Sequence, residues 1–160
     1  MTARPEALDW SVDGCTVQST LQVVGDRWTF VVLREVFTGI RRFDDLRVRT
    51  AIPRQVLTDR LARLVTEGVL RRDPYREQGQ RERHEYRLTP KGFDLYPVLV
   101  AMHDWGARYC AGPDGPPQRF VHRGCGAEIH ATLTCDDGHP VGEPRDVLPA
   151  LGAGARRRTE

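Results

Sequence analysis

The sequence has no uninterrupted apolar run of membrane-spanning length, and no basic stretch followed by an apolar core near its start. Those absences point to a soluble, cytoplasmic protein with no membrane partner. Cysteine is scarce, and Cys15, Cys110, Cys125 and Cys135 are too scattered for a secreted disulfide framework. Lysine is nearly missing, since all but one of the 24 basic residues are arginine. No Ser/His/Asp set, glycine-rich phosphate loop or complete metal motif occurs, and the five histidines are dispersed. An enzyme is not expected, and no cofactor is required.

What is present fits one domain plus an appendage: 160 residues, 39% of them hydrophobic, enough for a modest core. The net charge of +2 conceals a division. Between Arg27 and Lys91 stand 16 basic residues against 9 acidic, a net of +7, leaving −5 for the remainder. Positive charge gathered in one segment is what a phosphate-binding surface requires.

Along the chain, residues 1–14 read as an irregular arm holding Pro5 and Gly14, with Leu8, Trp10 and Val12 alternating. From Cys15, Val17, Leu21 and Val24 recur at helical spacing, and Gly25-Asp26 interrupts them. A second helix is expected from Arg27 to Phe37, with Trp28, Val31, Val32 and Val36 turned to the core. Thr38-Gly39 is a turn, and a short third helix covers Phe43 to about Val48. The stretch from Ala51 to Leu70 then holds a fourth helix. Leu57, Leu61, Leu64 and Val65 form its apolar stripe, with Pro53 in its first turn and Gly68 as its stop. Arg54, Gln55, Thr58, Asp59, Ala62, Arg63 and Thr66 lie off that stripe. Arginine and glutamine read guanine and adenine bidentately, so this face suits base edges; a solvated surface helix would show the same pattern.

Two strands follow, Val69 to Tyr75 and Arg83 to Leu88, around a polar tip centred on Gly79. Helix, turn, short helix, helix and basic hairpin make a winged helix-turn-helix, mainly α with a small β wing (α+β). Arg71, Arg72, Arg76, Arg81, Arg83 and Arg87 line the hairpin, interleaved with acids that could simply solvate it. Thr89-Pro90 opens a long helix to about Tyr109, kinked at Pro97. Its apolar residues are too many for a small domain to cover, so a second copy is the expected cover. The resulting divisions are an arm (1–14), the winged-helix domain (15–109), a Gly/Pro linker (110–119), a short β-rich extension (120–142) and a flexible tail (143–160).

Cys15, Val24-Gly25-Asp26-Arg27-Trp28-Thr29, Leu33-Arg34-Glu35, Gly39 and Arg42-Phe43-Asp44-Asp45-Leu46 form an ordered series of motifs. It continues with Ile52, Leu57-Thr58-Asp59-Arg60-Leu61, Leu64, Glu67-Gly68-Val69-Leu70, Glu85-Tyr86, Leu88-Thr89-Pro90-Lys91-Gly92 and Trp105-Gly106. As a series these resemble the HxlR family of bacterial winged-helix transcriptional regulators, relatives of the MarR-type dimers. The resemblance implies a homodimer through the N-terminal helix and the Pro90–Tyr109 helix, acting on double-stranded operator DNA. It also implies a response to oxidants through the cysteine matching Cys15, or to small molecules. Thr16 stands where the family usually has proline.

The expected DNA contacts are Arg54, Gln55, Thr58, Asp59 and Arg63 on the helix, Arg49 and Thr50 before it, and Arg76, Arg81, Arg83 and His84 on the wing. Repression is expected, because an operator-bound dimer occludes polymerase. Cys15 begins a helix, where the dipole favours a reactive thiolate; the alternative is a cysteine buried at the dimer interface. An effector pocket is expected near Trp28, Phe93, Tyr96 and His103. His122 and Cys125, with Cys135 and His139, could supply a tetrahedral zinc site; the alternative is a degenerate ribbon held by packing. If that module senses metal or ligand, the winged helix is its platform.

Overall fold

The computed structural model describes residues 9–79 and 81–158. Residues 1–8, with Pro5 and Leu8 of the arm, Gln80 of the hairpin tip and residues 159–160 lie outside the described residues. The chain forms two compact units, residues 24–131 and residues 1–23 with 132–160.

In the first unit, Asp26 caps α2 (Arg27–Phe37) by accepting from Trp28 N at 2.8 Å. Helix α3 (Phe43–Thr50) and helix α4 (Arg54–Thr66) follow after short connections. Leu57, Leu61 and Leu64 of α4 are fully buried together with Val32, Leu33, Leu46, Ile52, Val69 and Leu70. Each such aliphatic side chain contributes about 1.5–3 kcal/mol by leaving water, which is what fixes α4 on α2 and α3. Pro53 stands at the N-cap position of α4 and does not enter its first turn, contrary to the expectation from its sequence position. Gly68, at φ +68, ends the helix with a left-handed backbone.

The turn between α3 and α4 depends on Ala51, which holds φ 54° without being glycine. A left-handed alanine costs about 1–2 kcal/mol, partly offset because glycine loses more entropy on folding. Ala51→Gly is expected to stabilise the domain by roughly 0.5–1 kcal/mol, net of those two terms. A urea midpoint that rises at unchanged slope would show it; a fall would mean the turn is not strained.

Strands β1 (Leu70–Tyr75) and β2 (Arg83–Leu88) pair antiparallel in the register Leu70↔Leu88 to Tyr75↔Arg83. A further rung, which no sequence pattern announced, forms where Arg42 pairs with Glu85 and Tyr86 N donates to Arg41 O at 2.8 Å. The wing is thereby tied to the segment just before α3.

Thr89 caps α5 (Pro90–Phe93) by accepting from Gly92 N at 3.1 Å. The expected single helix with a kink at Pro97 is instead two: α5, then α6 (Tyr96–Tyr109) after a turn at Asp94-Leu95. Proline lacks the N–H and its ring would strike the carbonyl of residue 93, so Pro97 opens a helix where it could not continue one. Leu99 and Val100 of α6 pack with Phe120, against Phe30, Phe37, Tyr96 and Ile129. That burial draws residues 120–131 into the first unit, so the extension is not the separate module 120–142 that composition indicated.

The second unit contains most of α1 (Thr16–Val24) and the two-residue strands β3 (Leu133–Thr134) and β4 (Pro140–Val141). Of the tail, expected to be flexible over 143–160, residues 156–158 pair with the arm. Ser11 N donates to Arg156 O at 2.8 Å, Arg158 N to Asp9 O at 3.0 Å, and Trp10 bridges Arg157. Backbone groups that composition assigned to solvent thus find partners far away in sequence.

Candidate nucleic-acid interface

Arg54, Gln55, Thr58, Asp59, Ala62, Arg63 and Thr66 all lie on the exposed face of α4, because its other face is consumed by the leucine stripe. Gln55 Nε2 donates to Asp59 Oδ1 at 2.9 Å, one helical turn on. The amide keeps a second N–H and its carbonyl oxygen for an outside partner. Thr58 Oγ1 donates to Arg54 O at 2.9 Å, which commits the hydroxyl proton to the helix backbone. The Arg54 guanidinium lies 5.1 Å from the Phe43 ring centroid, so α3 supports it by a cation–π contact. Pro53 offers no side-chain cap, and the first-turn N–H groups of α4 are left to solvent or an anion.

Arg49 and Thr50 have structural partners. Arg49 Nε binds Glu35 Oε2 at 3.1 Å, and Arg34 binds the other carboxylate oxygen. Glu35 is only 1% exposed, and sequence reasoning missed it because its neighbours in α2 are an apolar core. Two arginines satisfy this buried carboxylate and lock α2 to the end of α3. Thr50 Oγ1 donates to Leu46 O at 2.6 Å. Asp26 also does more than cap: its Oδ2 takes Arg60 Nη2 at 2.8 Å, pinning the back of α4 to the start of α2.

The wing faces α3 and α4 across a cleft of ≈ 390 Å³ whose lining includes Arg54, Asp44, Tyr75, Glu77, Arg83 and His84. Arg42 closes one side of it: Nη1 binds Glu77 Oε1 at 2.5 Å and the guanidinium stacks 4.3 Å from the Tyr75 ring centroid. The Glu77 hydrogen bond raises the Arg42 pKa above its ordinary range, against the opposing effect of desolvation. Sequence reasoning overlooked Arg42, Tyr75 and Glu77, which come together only through the hairpin. Arg83 lies 3.9 Å from Asp44, and Arg76, Arg81 and His84 are exposed toward the hairpin tip. Arg71 and Arg87 are paired with Asp73, and Arg87 also with Glu85, so for these two the solvated-hairpin reading holds.

The family model described as HxlR-like helix-turn-helix matches residues 23–113. The chain belongs to the HxlR-like helix-turn-helix family. It is therefore a transcriptional regulator with a DNA-binding winged helix-turn-helix, in which α3 and α4 supply the two helices of the motif. The chain is 40% identical over 146 residues to an uncharacterised HTH-type transcriptional regulator of Mycobacterium tuberculosis, covering 91% of each. The crystal structure of PA1607, described as a candidate transcription factor, superposes with a TM-score of 0.77 at 33% identity, over 88% of this chain and 96% of that one. The redox regulator HypR in its oxidised form has a TM-score of 0.54 at 28% identity, over 61% of this chain and 100% of that one. No helix among the described residues is long and apolar enough to cross a membrane.

Away from the wing, Cys15 immediately precedes α1 and is exposed in the single chain. Phe93 and Tyr96 belong to an aromatic row: Phe37 lies 6.3 Å from Phe93 and 4.9 Å from Tyr96, and Phe120 lies 6.0 Å from Tyr96 and 4.9 Å from His103. His103 also lines a cleft of ≈ 670 Å³ with Trp105, Arg108, Tyr109 and Glu128. Trp28 carries the Arg27 guanidinium 4.1 Å from its ring centroid. His122 Nδ1 is 3.3 Å from Cys125 Sγ in the first unit, and Cys135 Sγ is 3.6 Å from His139 Nδ1 in the second.

Proposed function

We propose that the chain acts as a sequence-specific, homodimeric repressor that leaves its operator in response to a redox or small-molecule signal. The observation that carries this reading is the α4 face, where Arg54, Gln55, Thr58, Asp59 and Arg63 stand exposed beside an arginine-lined wing. One such helix reads few base pairs; a second copy would multiply the discrimination across half-sites about 34–36 Å apart. Val98, Met102, Trp105 and Tyr109 of α6, together with Val17 and Leu21 of α1, are large apolar residues left exposed by the single chain. A second copy laid against them removes that surface from water. Arg49 and Thr50 would contact the backbone, and Arg76, Arg81, Arg83 and His84 the flanking phosphates or minor groove.

For the signal, two sites have support. Cys15 is an exposed thiol at a helix start, and HypR, a structural relative, is a redox regulator. The aromatic row that joins Phe93, Tyr96 and His103 through Phe37 and Phe120 is the alternative for a small effector, and Trp28, whose ring carries Arg27, is not part of that row. Selection of bound duplexes from a random pool tests the whole reading, with sedimentation of the free protein beside it. A dyad-symmetric consensus bound by a dimer is the expected result. Recovery of unrelated sequences with equal efficiency, or a monomer at micromolar concentration, would overturn it. Repeating the selection after oxidation of wild type and Cys15→Ser identifies whether the thiol carries the signal.

A further inference from the structure

The hairpin formed by β3 and β4 is held by little that is visible in its own packing. Its strands pair only Leu133 with Val141 and Thr134 with Pro140, and residues 131–140 are all exposed. Two-stranded hairpins of this size are not independently stable in water. Yet its turn is sharply defined: Cys135 N donates to His139 O at 3.0 Å, Gly138 N to Cys135 O at 2.8 Å, and Gly138 takes φ +81. That geometry gathers three chemically distinct ligand groups. Atoms of Cys135, Asp137 and His139 all lie within 4.8 Å of one another, a grouping found at no other place among the described residues.

We propose that Cys135, Asp137 and His139 bind one divalent ion of the zinc class, with the fourth position taken by water or an added ligand. A tetrahedral zinc with bonds of about 2.3 Å to sulfur and 2.0–2.1 Å to nitrogen separates those two atoms by about 3.6 Å. The Cys135 Sγ to His139 Nδ1 distance is 3.6 Å, so the sulfur–nitrogen bite already has the required span. A thiolate, an imidazole and a carboxylate together favour zinc over magnesium or calcium, which take oxygen ligands. Cys135 binds as thiolate and releases its proton to solvent, so affinity falls as pH drops. Metal bonds then supply the cross-link that burial does not give this turn. Residue spacing alone groups His139 and Cys135 with His122 and Cys125 and passes over Asp137, which the turn brings in. The His122–Cys125 pair by itself offers only two ligands, and Cys135, Asp137 and His139 offer three.

Cobalt(II) titration of the reduced, chelator-stripped full chain tests this directly. The expected result is one equivalent of cobalt, with intense visible bands of a tetrahedral ion and a near-ultraviolet thiolate charge-transfer band, both removed by zinc. Cys135→Ser should abolish the charge-transfer band. Asp137→Asn and His139→Ala should each weaken binding by more than the roughly 10–100-fold that outer-shell changes cost. All three positions are exposed, so far-ultraviolet circular dichroism of the helices should not change. A wild type without the thiolate band would overturn the assignment. So would binding that survives Cys135→Ser and Asp137→Asn but is lost in Cys125→Ser.

Discussion

Replacing Arg54 and Gln55 together with alanine is expected to erase discrimination between the operator and unrelated duplex while the domain stays folded. A bidentate contact to a base edge is worth about 1–3 kcal/mol of discrimination, so two of them correspond to roughly 30-fold to 10⁴-fold in relative affinity. Neither side chain is buried, so removing them leaves no cavity. Gln55 gains precision from its bond to Asp59, which fixes the amide by one N–H and leaves the other N–H and the oxygen for adenine. Asp59→Ala should therefore lower selectivity as well, because it frees the Gln55 amide. Arg83→Ala supplies the contrast: deleting a phosphate-binding charge from the wing weakens all duplexes alike and reduces the salt slope by about 0.9. Competition binding at two salt concentrations separates these outcomes. If the α4 double variant weakened every duplex equally, the helix would be a phosphate anchor and the base-reading role would fall.

Gly92→Ala is expected to be the most destabilising conservative change in the winged-helix unit. A Cβ at residue 92 would lie 2.2 Å from Val69 O and 3.0 Å from Leu88 Cδ2. The closest atom is backbone, held in place because Thr89 N donates to that same Val69 oxygen at 3.1 Å. Thr89 Oγ1 donates to Gly68 O at 2.6 Å and Lys91 Nζ to Glu67 O at 2.7 Å, so α5 is fastened to the end of α4 and the start of β1. The clash cannot be relieved by rotating a side chain, which places the cost at or above the upper end of the usual 1–3 kcal/mol for overpacking. For a chain of this size about 3 kcal/mol corresponds to a Tm lower by roughly 6–12 °C. Gly106→Ala is the control: its Cβ would meet nothing within 4 Å, and a helical alanine is worth about 0.5–1 kcal/mol over glycine. Thermal melts of the two variants should move in opposite directions. Equal melting of Gly92→Ala and wild type would mean that α5 does not dock as closely as its backbone indicates.

Much of this protein is readable from periodicity. The helix Arg27–Phe37 and the strand Arg83–Leu88 have the limits that spacing and turn residues gave them, because their apolar stripes and flanking Asp26 and Gly79 are local signals. The face of α4 is equally legible. Once Leu57, Leu61 and Leu64 are committed to the core, geometry leaves Gln55, Asp59 and Arg63 outside. Composition misled in two places. It took 120–142 for one module, although Phe120 is buried on α6 and residues 132–142 belong with the arm. It also took the tail for free chain, although Arg156 and Arg158 pair with Ser11 and Asp9.

By itself, then, the amino-acid sequence determined the winged helix-turn-helix, its fourth helix and that helix's outward residues, since each follows from near-neighbour spacing and hydrophobic burial. Only the tertiary structure decided what lies behind that helix: Glu35 buried between Arg34 and Arg49, Asp26 holding Arg60, and Arg42 joined to Glu77. It also decided why residue 92 is glycine and why Asp137 stands with Cys135 and His139. The physical reason is the same in each case. A buried charge, a close backbone approach and a ligand cluster are set by distances between atoms, and no pattern along the chain encodes a distance until the chain has packed.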